Sequence, residues 1–217
     1  MRFNKLAAFA AVALVFSTAP AFAAKGQWSL GGNFGVGTYS NGDFNDELEA
    51  GGIEAVKDGW EFGGTIRKCM SVKTSLELEG MKMDGKSTTE SGGTTTDFHT
   101  KGIAMPVNFL YALSQNDTHD FNLLVGAGPV LNMHGTIKSE NGGVTAEGES
   151  GSKTAFMAQG GFEGDYKMSN QFALSGRVLG RYAKADNVDA DKDDPTAGTI
   201  DIDHSGFAFS LGMRMFF

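Results

Sequence analysis

The stretch Phe207-Ala208-Phe209-Ser210-Leu211-Gly212-Met213-Arg214-Met215-Phe216-Phe217 alternates large apolar side chains with small or charged ones. A period of two sends successive side chains to opposite faces of an extended chain, so this segment reads as a strand with one apolar face. The same period recurs upstream. Trp28, Leu30, Phe34 and Val36 alternate with Ser29, Gly31, Asn33, Gly35 and Gly37. Trp60, Phe62 and Ile66 alternate with Glu61, Gly63, Thr65 and Arg67. Five further segments follow, at Thr74–Glu79, Ile103–Leu113, Phe121–Met133, Phe156–Asp165 and Phe172–Tyr182. In the segment ending at Met133, parity groups Leu131 and Met133 with the apolar face, and Asn132 and His134 with the other. Eight strands result, and an even count closes an antiparallel meander.

The connections alternate in length. Those at Cys69–Ser71, Ser114–His119 and Met168–Asn170 are short, whereas Ser40–Val56, Asp84–Asp97, Thr136–Ser152 and Lys184–Asp203 are long and polar. Short turns on one rim and long loops on the other are the layout of an up-and-down transmembrane barrel.

Composition narrows the function classes. The 217 residues include 31 glycines and one cysteine, with 18 basic against 26 acidic side chains and a net charge of −8. A single cysteine excludes a disulfide scaffold and a Cys-rich zinc site. The acidic balance argues against nucleic acid as a partner. Residues 1–23 have the layout of a cleavable signal peptide. Arg2 and Lys5 precede the apolar run Leu6–Phe16, and Ala21-Phe22-Ala23 supplies a small-x-small cleavage site. The run is too short for a bilayer-spanning helix, which takes ~20 residues. Residues 24–217 are then expected to form one barrel domain.

The polar face decides what the barrel encloses. It carries Glu61, Glu77, Glu79, Glu163 and Asp165 together with Arg67, Arg177, Arg181 and Arg214. A soluble, lipocalin-like barrel would point that set at water, but solvent-facing strands are usually richer in Lys and Thr. Near-balanced carboxylates and guanidinium groups suit pairing across a narrow lumen, where an unpaired charge is costly. Glycine makes room for them, and the apolar set then faces lipid. Aromatic residues near strand ends (Trp28, Trp60, Tyr111, Phe121, Tyr166, Phe172, Tyr182, Phe217) fit interfacial belts.

The alternation Phe207, Phe209, Leu211, Met213, Met215, Phe217, ending on an aromatic, resembles the last-strand signal of bacterial outer-membrane β-barrel proteins. By layout, residues 24–217 resemble the small eight-stranded group of OmpA, OmpX and OmpW type. That resemblance implies residence in the cell outer membrane after export. It implies contact with outer-membrane lipid and lipopolysaccharide, and reading of the final strand by the outer-membrane assembly machinery. An external surface ligand, met by the exposed loops, is the remaining expected partner.

Candidate chemistry is sparse. Asp189-Ala190-Asp191-Lys192-Asp193-Asp194 begins like a calcium loop, but Asp194 replaces the turn glycine and Ile200 stands where a bidentate Glu belongs. Asp189, Asp191 and Asp193 are therefore at most loose cation ligands, and no metal or cofactor is expected. His204 and Ser205 are adjacent, so a strand points them to opposite faces. His134 and Thr136 share a parity, but one that faces the lumen and lacks a serine. His99 has outward parity, and His119 lies in a short turn. The geometry of a lipid-modifying hydrolase is missing, and no enzymatic activity is expected. The reading is an outer-membrane barrel with a side-chain-filled lumen and four acidic surface loops, acting in envelope structure or surface interaction. The alternative is a narrow channel for small or apolar solutes, as in OmpW-like proteins.

Overall fold

Strands that alternate in polarity must hide one face, and here they do so by closing on themselves. The computed structural model describes residues 26–40, 45, 49, 55–91, 93–194 and 196–217. Residues 1–23, where a signal peptide is expected, and most of the Ser40–Val56 connection lie outside the described residues. In order, the strands are β1 (Trp28–Thr38), β2 (Asp58–Cys69), β3 (Thr74–Ser91), β4 (Thr94–Ala104), β5 (Val107–Gln115), β6 (His119–Asn141), β7 (Val144–Glu149), β8 (Lys153–Lys167), β9 (Phe172–Asp189), β10 (Thr199–Asp203) and β11 (Gly206–Phe216).

All ladders are antiparallel. β1 pairs with β2 and with β11, placing Phe34 beside both Phe62 and Leu211. β11 pairs with β9, β9 with β8, and β8 with β6. β4 and β5 each pair with both β3 and β6, so they form one wall strand interrupted at Met105-Pro106. Pro106 has no N–H to give the ladder. The break is still satisfied on both sides: Glu79 N donates to Pro106 O at 3.1 Å, and Met105 N donates to Pro129 O at 2.9 Å. Counting β4 and β5 as one, eight strands close the ring.

β7 and β10 are extensions beyond that ring, and they correct the sequence reading of three connections. Asp84–Asp97, Thr136–Ser152 and Lys184–Asp203 are largely hydrogen-bonded hairpin, not loop. The β3–β4 ladder continues to Ser91↔Thr94, the β6–β7 ladder to Asn141↔Val144, and β10 lies against β9. Polarity masked their strand character. Thr88, Thr89, Thr94, Thr95 and Thr96 are β-branched, and the Gly142-Gly143 turn takes φ of 56° and 85°, the primed geometry a tight hairpin needs.

A second correction concerns β6. Ile103 pairs with Leu131 and Lys101 with His134, so Gly102 opposes both Asn132 and Met133. This bulge, with Asn132 at φ 55°, reverses the parity beyond it. Met133 is fully buried and turns inward, Asn132 is exposed, and His134 faces outward.

Side-chain polarity is inverted relative to a soluble barrel. Leu211 is 75% exposed and Phe207 63%, whereas Glu77 and Glu163 are at 0%. The apolar exterior band is bounded by Trp28, Tyr111, Phe121, Tyr166 and Phe172 near the short turns, and by Trp60, Phe156, Tyr182 and Phe207 near the long hairpins. Those two rings are the girdles expected where a barrel meets the two membrane interfaces.

Inward glycines set the bore. A Cβ on Gly161 would strike the Val178 carbonyl of the neighbouring strand, whereas one on Gly164, which faces outward, would meet nothing within 4 Å. Gly161→Ala should therefore destabilise the folded barrel by about 1–3 kcal/mol, while Gly164→Ala stays within about 0.5 kcal/mol. Denaturant titration in detergent, read by the gel shift between unboiled and boiled samples, checks the pair. Equal effects would contradict the inward packing at Gly161.

Candidate functional site in the barrel interior

The nine charged residues singled out by parity lie inside the barrel, each at 8% exposure or less. Arg67 and Glu77 are direct partners across β2 and β3, and Glu163 and Arg177 are partners across β8 and β9. Three guanidinium groups then converge on four carboxylates near the short-turn end. Arg67 reaches Glu77 at 2.6 Å and Glu163 at 2.7 Å. Arg177 reaches Glu77 at 2.7 Å, Glu163 at 2.7 Å and Glu79 at 3.1 Å. Arg214 reaches Glu163 at 3.1 Å and Glu77 at 3.3 Å. Asp165 is the least engaged, with Arg67 at 3.6 Å and Arg214 at 3.7 Å.

Neutral amides close the set. Asn108 donates to Glu77 at 3.1 Å and to Glu79 at 3.0 Å, Gln159 donates to Asn108 at 2.9 Å, and Asn33 donates to Glu79 at 2.8 Å. Gly31 admits this crowd, since a Cβ there would run into the Thr65 hydroxyl. Chemically the cluster is a clamp. It joins β1, β2, β3, β5, β8, β9 and β11 through side chains, and its carboxylates are already occupied by guanidinium groups.

Toward the hairpin end the interior changes character. Leu110, Leu124, Leu179 and Ala208 form a small apolar cluster beside the ionic one, and a separate ion pair joins Arg181 to Glu61 farther toward the hairpins. Arg181 Nη2 lies 3.2 Å from Glu61 Oε2, and the Tyr39 hydroxyl donates to Glu61 Oε1 at 3.3 Å. Against this pair, and continuing from it toward the hairpins, packs an apolar tier containing Met81, Met83, Met133 and Met157, with Val130 and Ile202. The sequence reading gave the interior polar residues alone, so this tier corrects it. Met81 and Met83 simply continue the inward parity of Glu77 and Glu79, and Met157 shares that of Gln159. Tyr39 was also missed, although it shares parity with Gly35 and Gly37. Its ring stacks on buried His204 at 4.3 Å, and His204 Nε2 is 2.9 Å from the Thr100 hydroxyl oxygen.

The remaining candidates do not assemble into a reactive site. Ser205 Oγ accepts from Ala183 N at 3.0 Å, away from the His204 contact with Thr100. His119 Nε2 contacts Asn116 Nδ2 at 2.9 Å. His99 Nδ1 donates to Asp84 at 3.0 Å on the outer face. Asp189, Asp191 and Asp193 are exposed, and the Asp191 carboxylate accepts from Asp193 N at 2.8 Å. Among the described residues, no group of three or more His, Cys, Asp or Glu side chains is arranged to hold a metal. Cys69 is half-buried near the short-turn rim, with the Ser75 hydroxyl 3.7 Å from its sulfur.

On the outer hairpins, carboxyls are tuned by hydrogen bonds. A bond from Lys192 holds Glu149 below its ordinary value, and one from Lys184 does the same for Asp201. The final strand places Phe207, Phe209, Leu211 and Met213 on the lipid-facing surface, with Met215 and Phe217 partly covered. Phe217 N donates to Trp28 O at 3.0 Å, sealing the terminal ladder against β1.

Breaking the Arg181–Glu61 pair on one side should cost more than removing it whole. Arg181→Met should lower unfolding stability by about 3–5 kcal/mol because Glu61 is left buried without its cation. Arg181→Met combined with Glu61→Met should recover most of that loss. Denaturant titrations of the three variants in detergent test it, and an additive double variant would refute the coupling.

Comparison with known proteins agrees with this architecture. No curated protein matches the sequence. Among solved structures, the outer membrane protein OprG from Pseudomonas aeruginosa superposes with a TM-score of 0.52 at 10% identity, covering 89% of this chain and 97% of that one. The outer membrane protein AlkL, solved in lipid bilayers, gives 0.50 at 19% identity over 93% and 95%. Ail of Yersinia pestis gives 0.45 at 14% identity over 89% and 99%. At these identities the likeness to OprG and AlkL speaks for fold alone. The family model for the outer membrane protein beta-barrel domain, however, matches residues 7–214. A ring of eight lipid-facing strands around an ionic interior, matched by that model over nearly its full length, makes this chain a member of the outer-membrane β-barrel family, resident in the cell outer membrane.

Proposed function

We propose that the protein is a closed barrel that contributes to envelope structure and surface interaction, presenting stiff acidic hairpins outside the cell. One observation carries the reading. Glu77 and Glu163 are fully buried, and each is held by Arg67, Arg177 and Arg214. A buried ion cluster is stable only while its charges remain mutually satisfied. Water and ions moving through the bore would have to part it. The methionine tier above adds a second barrier, since an apolar constriction resists wetting. In this reading the partners are outer-leaflet lipid and lipopolysaccharide, an external ligand met by the hairpins, and the assembly machinery acting on Phe207, Phe209, Leu211, Met213, Met215 and Phe217. No catalytic step is assigned.

A second reading, a route for apolar solutes, is favoured by a specific feature. The buried tier packs against Ile200, and Ile200 also lines a cleft of about 250 Å³ with Phe98, Ile137 and Ala190 at the hairpin end. Apolar walls running inward from that cleft suit a greasy cargo better than an ion.

Planar-bilayer recordings on the full chain separate these readings from an open pore. Wild-type conductance should stay near background, and replacing Arg177 and Arg181 together by Ala should raise it modestly. A large wild-type conductance overturns the closed-barrel reading. Uptake of an apolar fluorophore by liposomes carrying the barrel, at unchanged ionic conductance, would favour the second.

A further inference from the structure

The upper interior is packed with thioethers where branched hydrocarbon would fill the space as well. Beside the ionic clamp, Leu110, Leu124 and Leu179 do that filling. Toward the hairpins the same task falls to Met81, Met83, Met133 and Met157, each at 4% exposure or less and all in one cluster. Met81 is set apart, because its sulfur accepts from Arg181 Nη2 at 3.8 Å. The other three are free to serve a ligand.

The ladders gather those three around one histidine. Met83 and Met133 flank Gly102: Met83 is its ladder partner on β3, and a Cβ on Gly102 would lie 3.1 Å from Met133 Cγ. Met157 and His204 flank Ala183: Met157 is its ladder partner on β8, and His204 N donates to Ala183 O at 2.8 Å. The His204 ring then reaches from β9 to β4, where its Nε2 meets the hydroxyl of Thr100, one inward position beyond Gly102. His204 is at 1% exposure, and its Nδ1 has no hydrogen-bond partner among the described residues. With Nε2 donating to Thr100, Nδ1 holds a lone pair that the protein does not use. The inward charges point the same way. They are five carboxylates against four guanidinium groups, and the Asp120–Lys167 pair beside them is balanced. An interior with one negative charge in excess favours a monovalent cation over an anion.

We propose that Met83, Met133, Met157 and His204 bind a soft monovalent cation, Cu(I) or Ag(I), at the hairpin end of the bore. Thioether sulfur selects such ions and imidazole completes the set, whereas Mg²⁺ and Ca²⁺ require oxygen. The tier therefore stays a barrier to hard ions while it holds a soft one. Each Met side chain has three rotatable bonds, so sulfur can turn to the ion without a shift of the wall. The approach is from outside. Ile200 packs against the tier and lines the cleft of about 250 Å³, whose lining includes Glu149 and Asp191.

The probe is Ag(I), given as silver nitrate in chloride-free buffer to the full chain folded in detergent, with Cys69 alkylated so that no thiol competes. Native mass spectrometry should show a single Ag(I) retained per barrel, and Ag(I) should raise the temperature at which the unboiled gel form is lost. Met83→Leu combined with Met133→Leu conserves volume and should weaken retention about a hundredfold, the upper end of what losing a residue behind a metal's ligands costs. His204→Phe should weaken it about tenfold, the lower end of that range. Met168→Leu, in a short turn at the opposite rim, should change nothing. Equal retention by wild type and the double Leu variant, both giving the unboiled gel shift, overturns the proposal, as does loss of binding in Met168→Leu. Displacement of Ag(I) by Ca²⁺ would overturn the soft-ligand assignment. If the double variant does not fold, Met157→Leu takes its place with the same two outcomes. Background conductance in a wild type that retains no Ag(I) would sink this site and leave the closed-barrel reading standing.

Discussion

Glu77 and Glu163 sit beyond the reach of solvent, and Arg67, Arg177 and Arg214 surround both of them. The rest of the fold is arranged around keeping that contact satisfied. The two acids come from β3 and β8, which are not ladder neighbours, and the three cations come from β2, β9 and β11. Side chains therefore tie together wall segments that backbone hydrogen bonds join only through intermediaries. A lone charge in that bore would carry a desolvation penalty of several kcal/mol, so the network holds as a unit. Glycines on the inner face follow from the same constraint, because guanidinium groups fill the space that Cβ atoms would otherwise take.

Lipid outside and ions inside were legible because both surfaces are read from one period. Leu76 and Leu78 against Glu77 and Glu79, or Val178 and Tyr182 against Arg177 and Arg181, admit no other partition once the strand is granted. Parity is a local rule, and it failed where the chain broke it. The bulge at Asn132 adds one residue to β6, and from there His134 and Met133 exchange faces. Nothing in Leu131-Asn132-Met133 marks that insertion, since Asn tolerates positive φ in many settings. The interruption at Met105-Pro106 was equally silent, because Pro106 keeps the alternation while removing one donor.

The upper interior was misjudged for a different reason. Attention to charge made Glu and Arg the markers of the inner face, so Met81, Met83 and Met157 went unassigned although they share its parity. Physically the two tiers solve one problem in two ways. Paired ions fill the bore near the short turns, and thioethers and methyl groups fill it near the hairpins, where Met adapts to irregular space. The Arg181–Glu61 pair is the polar seam against the upper tier, which itself includes Tyr39, stacked on His204.

The hairpins carry the last consequence. From Gly135 to Asn141, β6 continues as paired ladder past the level at which the apolar exterior ends, a projection of about 20 Å. Its tip, Gly142-Gly143, is a two-residue turn without side chains, and a Cβ on either glycine would meet nothing within 4 Å. Such a stalk works as a scaffold: a peptide spliced between those glycines would be carried beyond the apolar band, anchored by a mast continuous with the membrane wall.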